Sequence, residues 1–122
     1  MDPIDGSSRP ERPVIWIGTS KDDIFVPPGP VKGSFGHRLG QMQQGGKPHD
    51  AKALTQFGTG VFELREGFDG NAYRLMVVVK LKKAIYLLHA FMKKSKSGTG
   101  LPRKDAELVH AWLKCARELD RE

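Results

Sequence analysis

VFELREGFDGNAYRLMVVVKLKKAIYLLHAFM, from Val61 to Met92, decides the fold. VFELRE alternates apolar and polar residues. AYRLMVVVK and AIYLLHAFM are rich in β-branched and aromatic residues, and GFDGN and LKK lie between the three runs as turns. Short links between sequential strands make an antiparallel meander. An Asp-Gly pair flanked by such runs is a strong hairpin signal, and centring the hairpin on it sets Leu64 opposite Leu75 and Phe62 opposite Val77. Arg65 then lies opposite Arg74 on the other face of the sheet.

Cross-strand neighbours are about 5 Å apart, so two opposed arginines are unfavourable unless an anion lies between them or Glu63 compensates. In the third strand one parity, Ile85, Leu87, His89, Phe91 and Lys93, is expected on the arginine face. Arginine forks bind phosphate oxygens in pairs, lysine supplies a mobile charge, an aromatic ring stacks on an unpaired base, and histidine titrates near neutral pH. That combination suits RNA. Each residue also has a structural alternative: an ion pair with a sheet carboxylate for Arg65, a hydrogen-bonded core histidine for His89, plain core for Phe91, and a solvated tail for Lys93, Lys94 and Lys96.

Working outward, VIWIG (14–18) reads as a buried strand. TSKDDIF (19–25) carries a weak capping box, Ser20 with Asp23, for a short helix stopped by Pro27 and Pro28. Val31, Phe35, Leu39 and Met42 recur at helical spacing from Pro30 until Gly45 and Gly46 end the pattern. Gly33, Gly36 and Gly40 each cost that helix roughly 1 kcal/mol against alanine, so packing must hold it. After a GTG tether, Pro102 opens a last helix whose stripe is Leu108, Val109, Trp112, Leu113, Ala116 and Leu119. The expectation is an α+β fold in the order strand, two helices, three-strand meander, C-terminal helix, with residues 1–13 a disordered leader and 14–122 one domain.

The net charge is +6 over 122 residues. Between Arg74 and Lys104 stand nine Lys or Arg and no acid, against eleven bases and fourteen acids elsewhere, so +6 resolves into +9 and −3. Concentrated positive charge attracts polyanions. There is no run of 18 apolar residues and no signal peptide, and the expectation is a soluble, cytoplasmic protein. The lone Cys115 is expected as a core thiol, and no metal-spaced cluster or cofactor motif is present, so neither metal nor cofactor is expected.

VIWIGTSKDD, AKALTQFGTGVFELREGFDGNAYR and IYLLHAFMKKSKSGTGLPRKDAEL, in that order, resemble the phage-derived HigB-like proteins of the RelE/ParE toxin superfamily. The resemblance runs from about Val14 to Leu119. It implies a RelE-like fold and a type II toxin that cleaves mRNA on the ribosome, held in check by a helix-turn-helix antitoxin of HigA/XRE type. It orders Arg65, Arg74, Lys93 and Lys94 among the candidates and adds Lys52; together with the residues read from the strand faces and the tether, the expected catalytic set is Arg65, Arg74, His89, Lys93 and Lys94, and the expected RNA-binding set is Lys52, Phe91 and Lys96. Superfamily members that stack a tyrosine on the substrate place it after the last strand. Here Tyr73 and Tyr86 lie inside strands, so either Phe91 substitutes or the stack is absent. A second class stays open, a ParE-like inhibitor that binds a target such as DNA gyrase without cutting.

Overall fold

The computed structural model describes residues 12–17, 27–94 and 100–122. Five strands form one sheet in the order β1-β5-β4-β3-β2: β1 Val14–Trp16, β2 Lys52–Ala53, β3 Val61–Phe68, β4 Asn71–Val78 and β5 Ile85–Lys94. β3, β4 and β5 are the expected antiparallel meander. β1 joins in parallel beside β5, and β2 adds a short outer edge beside β3. Two helices, α1 (Gly29–Gln43) and α2 (Arg103–Arg121), pack on opposite faces of this α+β domain. The helix expected within 19–25 lies outside the described residues.

The hairpin between β3 and β4 turns at Asp69 and Gly70, with φ of 54° and 79°. Two positive φ angles in a two-residue loop match the right-handed twist of the strands, which is why Asp-Gly serves here. The pairing follows: Phe62 with Val77, Leu64 with Leu75, Arg65 with Arg74.

β5 departs from simple alternation. Met76 pairs with His89 but Val77 pairs with Leu87, so Leu88 is an extra residue, a β-bulge. Ile85 and Leu87 therefore turn toward α1, in a core with Val31, Phe35, Met42, Phe62, Leu64 and Val77. This corrects the expectation that they share a face with His89. Tyr86 and Leu88 instead join Val61, Met76 and Val78 beneath Val109, Leu113 and Ala116 of α2. His89, Phe91 and Lys93 lie past the bulge and keep the face of Arg74, as expected.

α1 matches the periodic pattern and stops where Gly45 takes φ 90° and the Gly46 amide donates to the Gln41 carbonyl at 2.9 Å. A Cβ on Gly33, Gly36 or Gly40 would meet nothing within 4 Å, so no close approach within the described residues explains these glycines. Arg12, assigned to the leader by sequence, is tied down: its guanidinium donates to the carbonyls of Val79 (2.6 Å) and Ala84 (3.0 Å).

Two further expectations on α2 are corrected. Leu119 is exposed and Asp120 is buried in its place, while Cys115 is exposed rather than core. Asp120 accepts from the amides of Lys82 and Lys83, both at 2.8 Å, and from the Tyr86 hydroxyl at 3.0 Å, closing the β4–β5 turn onto the end of α2. Burial, and then the hydrogen bond to Asp120, raise the Tyr86 pKa. Burial pushes the Asp120 carboxyl up as well, but the two amides, the Tyr86 hydroxyl and the Lys83 charge outweigh it, and its pKa is lowered.

A carboxyl with a lowered native pKa contributes stability above its unfolded pKa, about 3.9, and loses it as pH falls through the native value. Asp120→Asn should therefore melt below the wild type at pH 7. Thermal melts from pH 7 to pH 2 should show the gap closing below about pH 4. A gap independent of pH would mean that the charge of Asp120 is not what holds the turn.

Candidate functional site

The face of the sheet under α2 is apolar at one end, where Val61, Val78 and Tyr86 meet the helix. Toward the other end it becomes polar, two residues at a time along each strand. Across one row lie Lys52, Glu63, Met76 and His89, and across the next Arg65, Arg74 and Phe91, followed by Gly67, Ala72 and Lys93. The strand period of two and the bulge thus gather residues that are up to 41 positions apart, from Lys52 to Lys93, on one face.

The opposed arginines share an anion of the protein's own. Glu63 is 1% exposed and takes Arg74 Nε on Oε2 and Arg65 Nη2 on Oε1, the latter at 3.3 Å. The like-charge contact expected from the register is therefore compensated within the sheet. Arg74 is 3% exposed; its Nη1 donates to the Gly100 carbonyl at 3.2 Å and its guanidinium lies over the Phe91 ring at 5.1 Å. Arg65, with 36% of its side chain exposed, is the more accessible of the two.

His89 is buried at 3% exposure. It stacks on Phe91, ring centroids 5.5 Å apart, and its Nε2 lies 2.7 Å from Asp105 Oδ1 in the first turn of α2. Nδ1 is buried without a hydrogen-bond partner among the described residues. One stack thus runs His89, Phe91, Arg74, with Glu63 beneath, and both of its ends are tied to the chain that enters α2.

Of the remaining candidates, Lys93 is half-buried on this face and Lys52 is exposed at its β2 edge. Lys94 pairs with Asn71 at the end of β5, and Lys96 lies outside the described residues. The nine bases from Arg74 to Lys104 do not make one patch. Lys80, Lys82 and Lys83 belong to the β4–β5 turn, a strand length of about 25 Å from Lys93.

Two participants gave little signal in the sequence. Glu63 read only as a compensator for the two arginines and Asp105 is a single acid in the first turn of α2, yet these carboxylates hold Arg65, Arg74 and His89 in place. Their spacing to the residues they hold, two and eleven positions for Glu63 and sixteen for Asp105, becomes meaningful only once the strand register is fixed.

A family model for phage-derived Gp49-like proteins (DUF891) matches residues 22–114. The chain belongs to this family, which falls in the RelE/HigB-like toxin group and is associated with toxin–antitoxin toxins. No curated protein sequence matches the chain. No helix among the described residues is long and apolar enough to cross a membrane.

Removing one partner of a buried ion pair leaves an uncompensated charge and costs about 3–5 kcal/mol, whereas a part-exposed pair is worth about 0–1 kcal/mol. Arg74→Ala should accordingly shift the urea midpoint strongly, and Arg65→Ala by little. Equal shifts would mean that Glu63 does not discriminate between its two arginines.

Proposed function

We propose that this protein is the toxin of a type II toxin–antitoxin pair and a metal-independent endoribonuclease that cuts mRNA on the ribosome. The observation that carries the reading is the row Arg65, Arg74 and Phe91, with Lys93 and Lys52 beside it on one sheet face, in a chain of a toxin-associated family. A part-exposed guanidinium with flanking ammonium groups is the set that binds an RNA phosphate, while the Phe91 ring is covered by His89 and Arg74.

The chemistry needs no group beyond the RNA and the side chains. The 2′-hydroxyl attacks the adjacent phosphorus, its proton passes to a general base, the bond to the 5′-oxygen breaks, and that oxygen takes up a proton as it leaves. The products are a 2′,3′-cyclic phosphate and a 5′-hydroxyl. Arg65, the accessible arginine, holds the phosphate oxygens as charge accumulates on them. Arg74 acts from below, through Glu63 and by supporting the Phe91 ring. His89 fixes the plane of Phe91 and, with Asp105, the start of α2. Lys93 and Lys94 are assigned to the charge on the leaving side, and Lys52 and Lys96 to attraction of the RNA backbone. The partner that restrains the toxin is a helix-turn-helix antitoxin of HigA/XRE type.

One observation favours a second reading, a ParE-like protein that binds a target such as gyrase. Arg74 and His89 lie almost wholly beneath the surface, as they would on a face that binds without cutting.

End mapping of mRNA from translating extracts separates the two. The ribonuclease reading predicts 2′,3′-cyclic phosphate and 5′-hydroxyl ends. It also predicts a single-turnover rate lowered about 10²–10³-fold by Arg65→Ala, the effect of a lost oxyanion donor. Cleavage that leaves 5′-phosphates would overturn it. Intact mRNA with inhibited supercoiling would move the assignment to the second reading.

A further inference from the structure

Behind Arg65, on the opposite face of the sheet, sits an arginine that no periodicity singled out. Arg38 of α1 is buried at 6% exposure, among the apolar residues that face the sheet. Its Nη1 donates to Asp50 Oδ2 at 3.1 Å, and its Nη2 to Ser34 Oγ at 3.0 Å, Glu66 Oε1 at 2.9 Å and the backbone carbonyl of Arg65 at 3.1 Å. Ser34 Oγ in turn donates to Glu66 Oε1 at 2.8 Å.

The contact with the Arg65 carbonyl falls where the sheet needs it. β2 pairs only with Phe62 and Glu63, so from Leu64 onward the outer edge of β3 has no strand beside it among the described residues. An edge carbonyl left there would bond to water and the strand end would fray. Arg38 takes the place of the missing strand at Arg65, and by pairing with Glu66 it also fixes the next residue toward α1. Strand alternation then sends the Arg65 side chain to the other face, onto Glu63.

We infer that Arg38 is a positioning residue for Arg65: it holds the backbone from which that guanidinium reaches the substrate face. The inference rests on the ribonuclease reading for its consequence in rate, and on geometry alone for its consequence in structure. An arginine is required because one planar fork spans two carboxylates, a hydroxyl and a carbonyl, which a lysine ammonium on a flexible stem does not do.

The test is a double-mutant cycle between Arg38→Met and Arg65→Ala, read by single-turnover cleavage of ribosome-bound mRNA and by the NMR signal of the Arg65 Nε–H group. Arg38→Met should slow cleavage by about tenfold or more, since misplacing a contact by about 1 Å costs up to 10²-fold, and should slow it no further when Arg65 is already alanine. It should also shift or broaden the Arg65 Nε–H signal. Arg38→Lys should restore melting temperature more than rate. An equal rate loss in both backgrounds, or an unmoved Arg65 signal in a folded variant, would overturn the inference. Should Arg38→Met fail to fold, Glu66→Gln loosens the same clamp from its half-exposed side and carries the same readouts. If the wild type cleaves nothing, the ribonuclease reading fails, while the Arg65 signal still decides whether Arg38 positions it.

Discussion

A single buried carboxylate sets what this sheet can present. Glu63 lies in the first half of β3 with almost no solvent contact and two guanidinium groups on its oxygens. Burying a charge is costly unless it is paired and hydrogen-bonded, so Glu63 requires at least one arginine on the neighbouring strand. The hairpin register supplies Arg74 for that role and brings Arg65 to the rim. The consequence is a division of labour between two residues that look equivalent in sequence: one arginine is spent on the interior, the other stands between interior and solvent.

The rest of the face is arranged around this pair. The Arg74 guanidinium lies against Phe91, Phe91 against His89, and His89 against Asp105, so the polar end of the sheet is joined to the first turn of α2 without an apolar core of its own. α2 buries Val109, Leu113 and Ala116 over the apolar end and leaves the polar end beside its start. Fixed cations suit a site that must stabilise negative charge without rearranging, because preorganised dipoles and charges act with little reorganisation.

Much of this was legible in the sequence, and what was not failed for identifiable reasons. Asp69 and Gly70 fixed the hairpin, and with it the Arg65–Arg74 pairing, because only a primed turn accommodates two positive φ angles in so short a loop. The bulge at Leu88 was invisible, since an inserted residue in an all-apolar run leaves no mark in an alternating pattern; it reassigned Ile85 and Leu87 but spared His89, Phe91 and Lys93. β2 has two residues, too few for a periodic signal. Leu119 and Cys115 were misjudged because helical periodicity ranks residues by hydropathy, whereas the buried place at the end of α2 goes to Asp120, whose carboxylate accepts from the amides of the β4–β5 turn. Lys80 to Lys83 and Lys93 looked like one basic region because sequence proximity says nothing about which end of a strand a turn occupies.

The account depends most directly on the claim that Glu63 and Arg74 form one interdependent unit beneath Arg65. A double-mutant cycle of Glu63→Gln and Arg74→Met, measured by urea unfolding, tests it without reference to activity. The account predicts that each single change is strongly destabilising and that the double variant recovers much of the loss, with a coupling energy at the upper end of the usual range for residues in contact, about 2–3 kcal/mol. Losses that simply add would show that the two side chains act independently, and the arrangement of the face around Glu63 would have to be abandoned.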